Sequence, residues 1–166
     1  MAWWPWRRTI QAPASAPEGK RSTERDHVAG RTGAESKERR SATWIGRKRF
    51  REIVGEAVDS IPEGIRRRIE NAVVVVEDEP DEETLLDLGL DPAEDSLYGL
   101  YQGTPISERG DGFGNALPDR VVIYYLPLTE DFRDEYHLRR EIRRTVVHEI
   151  GHFFGLSDRE IEGMGY

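Results

Sequence analysis

The chain has 166 residues, of which 37% are hydrophobic and 34% charged, enough for one domain of ordinary size. It has no cysteine, which excludes disulfides and thiolate metal ligands, so any metal must be held by His, Asp or Glu. The formal charge of -8 is unevenly spread: residues 1–50 carry twelve Lys/Arg against five Asp/Glu, whereas residues 51–166 carry twelve against twenty-seven.

The chain opens MAWWPWRRTI, without an apolar run of signal-peptide length, and its arginines follow the aromatics instead of preceding them. No stretch approaches the roughly 18–20 apolar residues of a membrane span, so a cytoplasmic location is expected. Residues 1–44 read as a disordered basic tail. Pro13, Pro17, Gly19, Gly30 and Gly33 sit there among small and charged residues, with too little apolar surface to offset ordering entropy. Trp3, Trp4 and Trp6 beside Arg7 and Arg8 would suit nucleic acid, a membrane surface or a protein partner.

From residue 45 to 166 the pattern is that of a folded domain. Phe50, Ile53, Val54, Ala57, Val58 and Ile61 recur at helical spacing and predict an amphipathic helix stopped by Pro62. A short helical segment is expected over 63–70. Val73–Val76 is a β-branched run suited to a buried strand. The acidic stretch Glu77–Asp95 reads as a surface loop with one helical turn at Leu85–Leu90. Leu97–Gln102 predicts a short strand at the border of a cleft, residues 110–118 a turn-rich connection, and Val121–Leu126 the clearest strand. Asp134–Phe154 predicts one long helix ended at Gly155. Helices around a short sheet, without regular strand–helix alternation, give an α+β class.

That last helix carries the chemistry, in the run HEIGHFFGLSD from His148 to Asp158. His148 and His152 are one turn apart, so their imidazoles lie side by side and reach one metal ion. Glu149 is rotated about 100° from His148, beside the ion without ligating it. Gly155 lets the chain turn back, and Asp158 then supplies a third ligand, leaving a position for water. On a helical wheel Leu138, Ile142, Val146, Ile150, Phe153 and Phe154 share one arc, and the two histidines fall off it. In a shuffled chain of this composition the whole motif would arise about once in ten thousand, so chance does not explain it. His137 lies about 16 Å away along the helix and His27 lies in the tail, so neither joins this site. Tyr124, Tyr166 and Arg109 are candidate oxyanion or substrate contacts, and Met164 is a weak candidate for a Met-turn.

Residues of about 48–166 resemble a compact bacterial zincin-like metallopeptidase family with the motif H-E-x-G-H-x-x-G-x-x-D. The likeness extends to FREIVGEAVDSIP (50–62), VVVVEDEP (73–80), YGLYQGTPISER (98–109) and LPDRVVIYYLPL (117–128). It implies a minimal zincin, a small mixed sheet packed on helices, with a C-terminal metal-bearing active-site helix. It further implies one Zn2+ per chain held by His148, His152 and Asp158, Glu149 as general base, and a peptide or protein substrate. The tail has no counterpart in the resemblance.

Other readings use the same residues differently. A metal-dependent ribonuclease would favour three histidines and no adjacent glutamate, and the -15 charge of residues 51–166 would repel phosphates, which makes nucleic acid an unfavoured partner for 45–166. A two-histidine, one-carboxylate iron oxygenase has no need of a base beside the first histidine. The third alternative is a catalytically weak binding module on the same fold.

Overall fold

Four consecutive valines, Val73 to Val76, form the body of strand β2 (Ala72–Glu77), which runs parallel to β5 (Asp119–Tyr124) in the register Val74↔Val121 and Val76↔Ile123. The computed structural model describes residues 7–9, 43–69, 71–109 and 118–164. On the other side of β5 lies β4 (Gly99–Gln102), antiparallel, with Leu100 opposite Val122 and Tyr101 opposite Val121. The order β2-β5-β4 leaves β4 as an outer strand of a small mixed sheet.

Helix α1 (Arg47–Asp59) and helix α5 (Glu135–Phe153) cover one face of this sheet. The predicted apolar arcs meet there: Phe50, Ile53, Val54 and Ala57 against Leu138, Ile142, Val146, Ile150 and Phe153, over Val121 and Ile123. Phe50 and Tyr125 pack edge to face with centroids 5.1 Å apart. The opposite face carries a second apolar cluster in which Val122 and Tyr124 meet Leu85, Leu90 and Leu97. Burial on both faces explains why β5 reads as a continuous apolar run and not as an alternation. The fold is α+β, as the pattern of elements implied.

The chain path departs from the sequence expectations at four places. The strand expected over 97–102 is divided at Tyr98 into β3 (Asp95–Leu97) and β4. Between them Tyr98 donates its hydroxyl to Asp131 at 2.6 Å and packs its ring on Phe132, while its carbonyl still accepts from Tyr124 N–H at 2.9 Å. The strand expected to reach Leu126 ends at Tyr124, because residues Tyr125–Asp131 form helix α4. Pro127 stands in the first turn of α4, where a missing N–H costs no intrahelical bond. In the acidic stretch, α3 (Glu82–Asp87) starts earlier than the expected turn, since the Asp81 carboxylate caps it by accepting from Thr84 N–H at 2.7 Å. The fourth departure concerns the tail. Arg7–Thr9, expected to be unstructured, form strand β1, antiparallel to β3 with Arg7 opposite Leu97 and Thr9 opposite Asp95. Main-chain groups on a strand edge recruit a partner whatever its side chains, so composition gave no signal.

The remaining residues up to 42, residue 70, residues 110–117 of the connection expected over 110–118, and residues 165–166 lie outside the described residues. Trp44 is described, and its indole N–H donates to the carbonyls of Thr129 and Phe132 at 3.1 and 3.0 Å. The short helical segment after Pro62 is α2 (Glu63–Arg66), continued by a 3₁₀ turn to Ile69. Among the described residues, no helix is long and apolar enough to cross a membrane.

Candidate metal centre

Helix α5 presents His148 and His152 on successive turns, away from the arc that packs on the sheet. It then ends in a defined way. Gly155 takes φ +81°, its N–H donates to the His152 carbonyl at 2.9 Å, and Leu156 N–H donates to the Gly151 carbonyl at 3.1 Å. This pair of bonds is a Schellman cap, which reverses the chain within two residues. A new helix, α6 (Asp158–Gly163), starts at once, and Ser157 with Glu160 forms its capping box. Asp158 is the first residue of α6, so the cap aims it back at α5.

The result is a tight triangle. His148 Nε2 lies 3.0 Å from Asp158 Oδ1 and 3.1 Å from His152 Nε2, and His152 Nε2 lies 3.2 Å from Asp158 Oδ1. A tetrahedral ion with bonds of about 2.0–2.1 Å separates its ligands by roughly 3.3–3.4 Å, so this donor set fits zinc with little adjustment. His152 Nδ1 donates to the Leu156 carbonyl at 3.0 Å, which leaves the lone pair on Nε2, inside the triangle. Burial, helped by neighbouring His152, pushes His148 down to about 4, so its imidazole is neutral at pH 7 as ligation requires. The geometry thus converges three donors from two helices.

Glu149 lies beside this triangle and faces the sheet. Its Oε2 accepts from the Tyr101 N–H of β4 at 2.8 Å. It is only 5% exposed, and burial pushes it up to about 8, against the opposing pull of the Tyr101 amide. His148, Glu149 and His152 share a cleft of about 180 Å3 with Gly99, Leu100, Tyr101, Leu97 and Leu88. The cleft therefore lies between the histidine-bearing helix and the outer strand of the sheet, the border that Leu97–Gln102 was expected to form.

Two glycines make these approaches possible, and the sequence reading passed over both roles. A Cβ on Gly99 would lie 2.6 Å from Thr145 Cγ2 and 3.1 Å from Glu149 Cγ, so β4 can approach α5 only without a side chain there. A Cβ on Gly151 would lie 2.5 Å from Ile161 Cδ1, so α6 packs on α5 only across a bare backbone. A glycine inside a strand and another inside a helix were the available signals, since each costs stability unless something must come close.

The remaining candidates separate from the site. Tyr124 is 2% exposed and packs among Leu85, Leu97 and Val122. Arg109 pairs with Asp119, donates to the Thr104 carbonyl at 2.8 Å and lies over the Phe153 ring. Met164 is exposed and borders a groove on the far side of α5, with Val147, Phe154 and Ile161. His137 is held by Asp134 at the start of α5, away from the triangle. Tyr166 lies outside the described residues.

A family model described as zincin-like metallopeptidase matches residues 69–166, more than half of the chain. The match takes in the whole sheet and the motif helix and begins after α1. No curated protein matches the chain.

Proposed function

The chain belongs to the zincin-like metallopeptidase family, and on that footing we propose that it is a zinc-dependent peptidase with His148, His152 and Asp158 as ligands and Glu149 as general base. The observation that carries this reading is the triangle of 3.0, 3.1 and 3.2 Å with a buried carboxylate next to it. Bound zinc would supply the Lewis acidity that activates water and polarises a carbonyl.

The chain's own residues do the rest. Glu149 takes the proton of the attacking water on its carboxylate and delivers it to the leaving amine. Its burial favours the proton-holding form, so it is suited to keep that proton between the two transfers. The Tyr101 N–H fixes one oxygen of the carboxylate and leaves the other for the proton. Asp158 adds a negative charge to the donor set, which makes an activated water less acidic than three neutral histidines would. An extended peptide lies against β4, the outer strand, by main-chain hydrogen bonds, with Leu88, Leu97 and Leu100 receiving an apolar side chain.

The test compares the wild-type chain with Glu149→Gln on a peptide library, with zinc content measured for both. Expected is about one zinc per chain in each and cleavage at least a hundredfold weaker in the variant. Equal cleavage by both proteins would remove Glu149 from the reaction, and RNA digestion lost in the variant would assign the site to another substrate.

A further inference from the structure

Arg109 and Asp119 lie outside the triangle, yet they meet where β4, β5 and the end of α5 come together. Asp119 opens β5, is 4% exposed, and holds two partners on one carboxylate. Its Oδ1 accepts from the Tyr101 hydroxyl at 3.1 Å, and its Oδ2 pairs with the Arg109 guanidinium. Arg109 Nε also donates to the Thr104 carbonyl at 2.8 Å, which closes residues 104–109 into a loop. The fit is close: a Cβ on Gly103 would overlap the Asp119 carboxylate and lie 2.6 Å from the Tyr101 hydroxyl oxygen.

We infer that the Arg109–Asp119 pair is a positioning clamp that sets the general base Glu149 and the third ligand Asp158 relative to each other. One arm runs through Tyr101, whose hydroxyl is held by Asp119 while its N–H holds Glu149 Oε2 at 2.8 Å. Burial pushes the Tyr101 phenol up to about 12, so the hydroxyl keeps its proton and stays the donor. The other arm runs through the closed loop. Its 3₁₀ turn (Ile106–Glu108) rests on Gly155, where a Cβ would overlap Ser107 Oγ and lie 3.6 Å from Pro105 Cβ. Gly155 is the residue whose left-handed turn aims Asp158 back at the histidines. Between the arms stands Phe153, with the Tyr101 ring edge-on at 6.0 Å and the Arg109 guanidinium 5.1 Å from its centroid. The clamp therefore grips α5 on both sides of His152, at Glu149 before it and at Phe153 and Gly155 after it.

Physical chemistry favours positioning over stability as the use of this pair. A buried ion pair adds little net stability, because desolvation offsets its attraction. A guanidinium does fix direction, since its planar fork binds a carboxylate and a carbonyl at set angles. Productive geometry in a catalytic site tolerates errors of only about 0.5 Å. Glu149 takes its orientation from β4 and Asp158 from the turn after α5, so without a common anchor the two would drift separately. The inference rests on the peptidase reading for turnover alone; zinc affinity and amide exchange test it without hydrolysis.

The experiment compares the zinc-loaded full chain with Tyr101→Phe and with Arg109→Ala/Asp119→Asn. The second variant removes the guanidinium without leaving a buried charge, and its Asn oxygen can still accept from Tyr101. Measured are hydrogen exchange at the residue 101 amide, zinc affinity by chelator competition, and kcat and KM on a cleaved peptide. Tyr101→Phe cuts the first arm: amide exchange is expected to rise and kcat to fall at least about fivefold, with zinc affinity and KM within about twofold of wild type. Arg109→Ala/Asp119→Asn cuts the second: zinc is expected to bind at least about tenfold more weakly. A change under twofold in the first variant's amide exchange, or in the second variant's zinc affinity, overturns the inference. So does an active Tyr101→Phe with wild-type kcat, because the bond would then serve stability alone. If the double variant does not fold, Tyr101→Phe decides. The expected exchange and zinc changes without hydrolysis by any of the three proteins would leave the clamp standing and sink the peptidase reading.

Discussion

Replacing Gly151 with alanine tests how the fold holds Asp158 against the histidines. The new Cβ would meet Ile161 Cδ1 at 2.5 Å and Cγ1 at 2.7 Å, where ordinary contact begins at 3.4 Å. Ile161 is 2% exposed, so relief comes from its side chain turning into the neighbouring groove or from a shift of α6, in which Asp158 sits three residues before it. Overpacking of this kind costs about 2 kcal/mol, and the better helix propensity of alanine returns about 1. The net expectation for Gly151→Ala is a loss of about 1 kcal/mol, with zinc bound some 10–100-fold more weakly because a supporting contact has shifted. In an Ile161→Ala background both clashing carbons are gone, and the nearest remaining atom, Cβ, is 3.9 Å away. There the same substitution should stabilise by about 1 kcal/mol, a reversal of sign worth about 2 kcal/mol of coupling. Urea unfolding of the four metal-free proteins measures the stabilities, and competition with a chromogenic chelator measures zinc affinity. The reasoning fails if Gly151→Ala stabilises equally in both backgrounds and zinc is held as tightly as before.

The remaining predictions concern Glu149 and β4. In the metal-free protein Glu149 is pushed up to about 8 from an ordinary 4.5, so its contribution to stability is present at low pH and is lost as pH rises through 8. His148, pushed down to about 4, works in the opposite sense, but only below 6.5. Between pH 6.5 and 8 the metal-free wild type should therefore weaken relative to Glu149→Gln, by up to about 1.4 kcal/mol per pH unit, measured by urea unfolding at a series of pH values. A flat difference across that window would contradict the buried, proton-holding carboxylate. Gly99→Ala should destabilise by about 1–3 kcal/mol, because its Cβ meets Thr145 Cγ2 at 2.6 Å. Turnover should fall by about tenfold or more through the displaced Glu149. Thr145→Ser, which removes that methyl and keeps the hydroxyl bonded to the Glu141 carbonyl, should return part of the stability; no recovery would place the clash elsewhere.

Much of the fold was legible in the sequence because its signals are local. The spacing of Phe50, Ile53, Val54 and Ala57, the valine run of β2 and the apolar arc of α5 each report one face of one element. The relation of His148, Glu149 and His152 was legible for the same reason, since a single helix sets their angles. Boundaries were less so. The apolar run from Val121 to Leu126 looks uniform in sequence, yet it changes from strand to helix at Tyr125, where Leu126 N–H donates to the Asp78 carbonyl and the Tyr125 hydroxyl donates to the Ile45 carbonyl. Both partners are more than forty residues away in the chain, and no periodicity records them.

By itself the sequence determined an α+β domain, its two packing helices, its central strand and a helix that carries two histidines and a glutamate in fixed relation. Tertiary structure decided that Asp158 points at the histidines, that Tyr101 N–H reaches Glu149 across 48 residues, and that Arg7–Thr9 join β3. The division has a physical reason. Side-chain periodicity encodes which face of an element avoids water, whereas the approach of one backbone to another depends on which distant atoms leave room, as Gly99 and Gly151 do here.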